Sequence, residues 1–188
     1  MLFVVAGYTH DYGDWMQQAR AILAAMNLPT HELTMTVLMT PDQANFSGNV
    51  HGGTILKLLD QVAYACASRY CGRYVVTLSV DQVMCREPIH VGELVTFLAC
   101  VNYTGSSSME IGIKVVAENI AKRTQRHANS CFFTMVATDD QRKPVPVPPL
   151  LPSTPDQQRR FDAAKARREL RQEFEQRVQA MRAAPAPT

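Results

Sequence analysis

Asp60 is the residue of this 188-residue chain whose setting most asks for chemistry. It stands in an apolar run where Ile55, Leu58, Leu59, Val62 and Cys66 recur at helical spacing, while Leu56, Ala63 and Ala65 fill the other faces. A helix that is apolar nearly all round reads as buried, and a carboxylate on it needs a partner, a water-lined pocket or a shifted pKa. The helix opens on Gly52-Gly53. Without a Cβ, this pair lets a ligand approach the backbone, and the N–H groups of a helix N-terminus favour negative charge or a polarised carbonyl oxygen. An electrophilic helix end with a carboxylate roughly 10 Å along it, by helical rise, is a layout suited to hydrolysis.

Other polar residues flank this stretch. Asn45 on its own reads as a turn residue, and Asn49 follows four positions later. His51 is a candidate general base, but the chain has no G-x-S-x-G setting in which it could serve a serine nucleophile. Thr104-Gly105-Ser106-Ser107 forms a polar turn able to offer N–H and hydroxyl groups to phosphates. Arg69, Arg86, Lys122, Arg123 and Arg126 are the cations within reach in sequence, and no Walker or Rossmann pattern selects among them.

These residues need elements to position them. Glu32 to Met39 reads as a strand, and Gly53 to Tyr70 as the helix, with Gly72 as its terminator. Four more strands are expected at Tyr74 to Met84, Glu93 to Tyr103, Ser108 to Asn119 and His127 to Thr138, with a loop at Arg86 to Gly92. One strand, a long helix and four consecutive strands give an α+β domain with an antiparallel sheet around a helix. The domain is expected to span residues 28–143. A Pro-rich strap follows at 144–155.

Residues 156–188 form a charged tail. Asp156 to Met181 has helical character, with Phe161, Leu170, Phe174, Val178 and Met181 as a thin apolar stripe that fits a helix packed on its own oligomer. The last residues, 183–188, are expected to be disordered. Residues 1–27 are a leader of uncertain status, either a docking helix or the product of a misassigned start, with Met26 as the real first residue.

Composition narrows the function classes. With 46% hydrophobic and 19% charged residues the chain has ordinary globular make-up, and a net charge of +2 is too small for a nucleic-acid binder. The tail from Asp156 to Arg182 carries eight Lys/Arg against five Asp/Glu, too mixed for a basic membrane-binding face. No apolar run reaches the roughly 20 residues of a membrane span, so no stable membrane insertion is expected. The five cysteines show no metal-ligand spacing and read as reduced, buried thiols of a cytoplasmic protein, with no metal site.

The set Asn45-x-x-Gly48-Asn49-x-His51-Gly52-Gly53 followed by Asp60, with Leu78 to Gly92 and Tyr103 to Ile111, resembles the hotdog-fold acyl-CoA thioesterases. The match is to the cytosolic acyl-CoA hydrolase branch, and its bacterial single-hotdog members look closest. The resemblance runs from about Leu28 to Pro155. It implies a hotdog fold, a sheet wrapped around a long central helix, and hydrolysis of fatty acyl-CoA to free acid and CoA. It makes Asp60 catalytic, as general base or nucleophile and acting from the partner subunit, while Asn45 positions water or the carbonyl. Asn49 competes with Asn45 for that role. Val50, His51, Gly52 and Gly53 would line the substrate site, His51 as a wall of the pocket, and the turn Thr104-Gly105-Ser106-Ser107 would meet coenzyme A. No cofactor is implied, coenzyme A being part of the substrate. A shared site implies a homo-oligomer, at least a dimer and in this branch often a hexamer built as a trimer of dimers. Two other readings stand beside it: a hotdog enoyl-CoA hydratase or dehydratase using His51, and a non-catalytic acyl-CoA or nucleotide-responsive binding module.

Overall fold

The computed structural model describes residues 30–183 except 82, 85 and 86. The leader, the last five residues and Arg86 therefore lie outside the described residues.

Strand β1 (Glu32–Leu38) leads through a 3-10 turn at Pro41–Gln43 to helix α1 (Gly52–Cys71). Strands β2 (Tyr74–Val80), β3 (Leu94–Thr104), β4 (Ser108–Asn119) and β5 (Thr124–Thr138) follow, and then helix α2 (Pro155–Ala183). The strands make one sheet in the order β1-β3-β4-β5-β2, antiparallel throughout. Alternation explains it. Met109, Ile111, Ile113, Val115 and Ala117 of β4 all point to one face, in register with Val95, Phe97, Ala99 and Val101 of β3. Against that face lie Ile55, Leu59, Val62, Ala63, Cys66 and Ala67 of α1. Leu59 and Val62 are fully buried, each worth about 2 kcal/mol in removed apolar surface. A long helix laid across a five-stranded antiparallel sheet is the hotdog architecture.

The ends of α1 are fixed by local chemistry. His51 caps the start with its ring, and Gly72 ends the helix in the left-handed region at φ 65°, its N–H donating to Ser68 O. Strand β2 stops at Val80, short of the expected Met84, and among the described residues the Asp81 N–H still bonds the sheet, at Phe132 O. Strand β5 starts at Thr124 rather than His127, since the turn closed by Arg123 at φ 53° lets Thr124 pair at once with Asn119.

The reading of α1 as buried on every side needs correction. One stripe packs on the sheet, while Leu56, Asp60 and Tyr64 are exposed in the single chain. They share that exposure with Tyr74, Val76, Leu78 and Val80 of the edge strand β2. Tyr64 meets Tyr74 edge-on at 5.9 Å between ring centroids.

The opposite face of the sheet is covered by the first half of α2. Residues 144–152 reach it as a strap: Val145, Val147 and Leu150 donate N–H bonds to Ala137 O, Ser106 O and Thr104 Oγ1. Phe161 then packs on Tyr103, Ala164 is buried, and the Arg167 guanidinium lies 3.6 Å over the Phe132 ring. Beyond Arg171, Phe174 and Met181 of the expected stripe are exposed, so this half of α2 makes no use of them within the chain.

Candidate active site

The loop before α1 is held by its own polar atoms. Asn45 Oδ1 accepts the backbone N–H groups of Ser47 (2.9 Å) and Asn49 (3.2 Å), while the Asn45 N–H donates to Asn49 O at 2.7 Å. With its oxygen engaged, the side chain has its amide NH2 left to offer a substrate. Val50 N–H then donates to Ile89 O, which ties the loop to residues 87–90. Asn45, Asn49, Val50 and Gly52 line a cleft of about 220 Å³ whose opposite wall is Glu87, Pro88 and Ile89, with Ala128 and Asn129 of β5.

His51 departs from the expectation. It does not line the cleft. Its Nδ1 accepts the Gly53 N–H at 3.2 Å, and its carbonyl takes Thr54 N–H and Ile55 N–H. An acceptor role at Nδ1 places the ring proton on Nε2, which leaves no free lone pair for general-base work. Gly53 is likewise committed to the cap, so of the glycine pair it is Gly52 that lines the cleft. A Cβ at Gly52 would meet nothing within 4 Å, and the approach to its backbone is open.

Asp60 is not in this cleft. It sits on the exposed stripe of α1, where Thr77 of β2 donates its hydroxyl to Asp60 Oδ1 at 2.6 Å. The ladder between β2 and β5 slips one residue just after Thr77, at a bulge before Ser79, which turns this part of the edge strand toward α1. The chain thus keeps the two groups apart, with Asn45 in a cleft and a carboxylate with its hydroxyl partner on an open apolar face.

The turn Thr104-Gly105-Ser106-Ser107 lies elsewhere, under the strap. Thr104 Oγ1, Ser106 O and Ser107 O accept N–H bonds from Leu150, Val147 and Ala137. Gly105 is overlain by Arg168, whose guanidinium bonds the Tyr103 hydroxyl at 2.8 Å. The strap and α2 thus lie against this turn, and the strap takes up the Thr104 hydroxyl and the Ser106 carbonyl.

Of the cations weighed, Arg126 has a defined task. It grips the buried Glu93 with two 2.7 Å bonds, donates to Pro88 O at 2.6 Å and lies 3.3 Å from Glu87. Glu93 in turn accepts the His90 N–H at 2.9 Å. The arginine holds the Glu93 carboxyl below the usual carboxylate range. This latch fixes residues 87–90, the far wall of the cleft.

One cluster of metal-ligating groups exists among the described residues. His31, Glu32 and Cys100 bring ligand atoms within 4.8 Å of one another. Sequence spacing could not show it, because Glu32 and Cys100 meet only through the β1–β3 pairing. Arg160 lies 3.8 Å from Glu32, and burial pushes the Cys100 thiol up to about 11, both of which oppose a bound cation.

Comparison with known proteins gives this geometry a family. The thioesterase superfamily matches residues 47–123. Protein VdlD of Helicobacter pylori is 50% identical over 140 residues, 74% of this chain and 80% of that protein. A solved apo-hexameric acyl-CoA thioesterase is 32% identical with a TM-score of 0.74, covering 77% of this chain and 92% of that one. The chain belongs to the thioesterase superfamily. An acyl-CoA hydrolase from Staphylococcus aureus, solved with butyryl coenzyme A and coenzyme A, is 28% identical with a TM-score of 0.70 over 80% of this chain and 94% of its own. That hydrolase has also been solved with single alanine substitutions at an asparagine, an aspartate and a threonine, 15 and 17 positions apart in order. In this thioesterase-superfamily chain the same residue types stand at the same separations: Asn45, Asp60 and Thr77.

Thr77 is the residue that sequence reasoning missed. In an alternating strand it is one hydroxyl beside Ser79, and only the contact with Asp60 sets it apart. Among the described residues, no helix is long and apolar enough to cross a membrane.

Proposed function

We infer that this chain hydrolyses fatty acyl-CoA thioesters to free acid and CoA, at a site shared between two copies. The observation that carries the reading is the division of the chemistry: Asn45 and Gly52 face one cleft, while Asp60 and Thr77 lie on an exposed apolar face. That face, with Leu78 67% and Tyr74 59% exposed, is the kind of patch a second subunit covers. A two-fold pairing through it brings Asp60 of each copy toward the cleft of the other.

In the assembled site the thioester carbonyl oxygen receives the Gly52 N–H and the Asn45 amide NH2, aided by the positive end of α1. Asp60 takes a proton from water, and the hydroxide adds to the carbonyl carbon. The oxyanion collapses, the C–S bond breaks, and the CoA thiolate leaves and is protonated. Direct attack by Asp60, giving an anhydride that water then opens, is the alternative course. Water, a carboxylate and hydrogen-bond donors suffice for either, so the reaction as proposed uses no cofactor or metal. The acyl chain runs along α1 and the subunit interface past Leu56 and Tyr64. We place the protein in the cytoplasm, where Cys66, Cys71 and Cys100 stay reduced, and take its assembly to be a trimer of such dimers. His51 as helix cap argues against the hydratase reading.

Subunit mixing tests this directly. Asn45→Ala and Asp60→Ala should each abolish thiol release from acyl-CoA. Unfolded, mixed in equal amounts and refolded together, they should recover about a quarter of the native rate, the share of intact sites when halves of a two-fold dimer assort at random. No recovery from a mixture that reassembles would refute the shared site.

A further inference from the structure

Helix α2 crosses the sheet, and the order of its contacts gives its direction. Gln157 meets His31, and Arg160 lies near Glu32 at the start of β1. Phe161 packs on Tyr103 of β3. Arg167 bonds Glu110 of β4 and lies over Phe132 of β5, and Arg171 bonds Asp81 just past β2. These contacts follow the strand order β1-β3-β4-β5-β2. Four strand spacings of about 4.8 Å span about 19 Å. The fourteen positions from Gln157 to Arg171 rise about 21 Å. The helix therefore runs nearly square across the strands, and at Arg171 it has reached the sheet edge.

It continues past that edge. Residues 172–183 extend α2 by twelve residues, about 18 Å at helical rise, nearly the width of four strands. Among the described residues, no strand of the sheet lies beyond β2. The overhang is nonetheless two-sided. Leu170, Phe174 and Met181 are 63%, 69% and 68% exposed and lie along one flank, with Val178 beside them. Upstream, Ala163 and Ala166 stand on the same flank. A twelve-residue helical segment without tertiary packing is marginal in water, so this flank calls for a surface from outside the single chain.

We propose that the overhang of α2 clasps a second copy of this chain, lying across the β2 edge against the second copy's α2. The proposal rests on the shared-site reading, which seats the second copy against β2. Under a two-fold axis beside that edge each overhang lies over the other copy. The two α2 helices then run antiparallel with the same flank turned inward. Leu170 meets its own counterpart near the axis, and Phe174 and Met181 reach toward the small residues Ala166 and Ala163 of the other helix. Large side chains set on small ones let two helix flanks close up. Glu173 and Glu175 balance Arg177 and Arg182, so the overhangs carry no net charge to drive the copies apart.

Two measurements on the full-length protein test it. In the first, Phe174 is replaced by the photo-reactive p-benzoylphenylalanine, and isotopically heavy and light chains are refolded together. Mass spectrometry of the irradiated mixture should find heavy chains joined to light ones, with the second end of the crosslink on α2. In the second, Phe174→Asp and Leu78→Asp, both at exposed positions, are compared with native protein by sedimentation over a dilution series. Phe174→Asp should raise the concentration at which subunits separate by on the order of a hundredfold, one apolar side chain being lost from each of two copies. Crosslinks confined to one chain, crosslinks ending outside the second copy's α2, or none at all would overturn the proposal. Leu78→Asp separates that failure from a failure of the shared face. If it weakens association while Phe174→Asp does not, the shared face stands and the clasp is refuted. If it changes nothing, the copies do not meet at β2 and both readings fall.

Discussion

Asp60 and Glu93 are carboxylates on the same small domain, held in opposite ways. Glu93 is 2% exposed and gripped by a bidentate arginine and a backbone N–H. Glu110 is treated likewise by Arg167 and Arg171. Asp60 is exposed, and a single hydroxyl, that of Thr77, holds one of its oxygens. A carboxylate whose two oxygens are both gripped by guanidinium groups is spoken for; it can dock a loop or a helix but has little basicity left to lend to water. One anchored through a single oxygen on an open face keeps the other oxygen available, in a fixed direction. Burial alone, then, is a poor guide to chemistry in this chain, and the number of donors around the carboxylate is the better one.

The sharpest way to break the contrast is to neutralise each carboxylate without changing its shape. Asp60→Asn should lower kcat for thiol release by about 10²–10⁴, the range for a lost general base. Thermal stability should stay within about 1 kcal/mol of native, because Asn keeps the shape and an oxygen for the Thr77 hydroxyl. Release that survives the substitution would remove Asp60 from the mechanism.

Glu93→Gln should do the reverse. Because Arg126 keeps 26% of its side chain exposed, the loss should sit at or just under the low end of the range for breaking a buried pair, about 2–3 kcal/mol. It should appear as an earlier midpoint in urea unfolding. KM should rise as the 87–90 wall loosens, while kcat holds in the protein that remains folded. The contribution carries a pH signature. The folded-state pKa of Glu93 lies below its unfolded value, so its stabilisation is complete above the ordinary carboxylate range and disappears as pH falls through the folded value. The stability gap between native protein and Glu93→Gln should therefore be flat from about pH 6 to 8 and close as pH falls below the ordinary carboxylate range. A gap that persists in acid would mean that the pair is not what Glu93 contributes.

The sequence was a good guide wherever one period or one residue type decides the matter. The alternation of β4 predicts Ser108 to Asn119, which is what the strand spans, and Gly72 ends α1 where a left-handed residue is required. Asn45, Asn49, Val50 and Gly52 are near neighbours in the chain, and the structure gathers them round one cleft. What the chain order hid are contacts made across the fold. Arg126 reaches Glu93 and Pro88 from another strand, and Thr77 reaches Asp60 through a bulge that leaves no mark in an alternating strand. The exposure of Asp60 was misread for a different reason. A helix apolar on every side signals that all its faces become covered, and the pattern cannot say whether the cover comes from its own chain or from another.

Thr77 offers the finest test of the comparison, because it separates holding a carboxylate from using one. If one hydroxyl is what aims Asp60, Thr77→Val removes the aim and leaves the charge, the shape and the apolar face intact. A hydrogen bond to a charged group is worth roughly 1.5–3 kcal/mol when sheltered, and this one is exposed within the single chain, so a fall in kcat of about tenfold is expected. KM should not move, since Thr77 lines no part of the cleft. Thr77→Ser keeps the hydroxyl and should restore most of the rate, which a packing defect at the bulge would not allow. If instead Thr77→Val keeps the native rate and Thr77→Ser loses it, the threonine serves the edge strand through its methyl group. Asp60 must then be oriented by the partner subunit, and the half-site seen in one chain would be completed only on assembly.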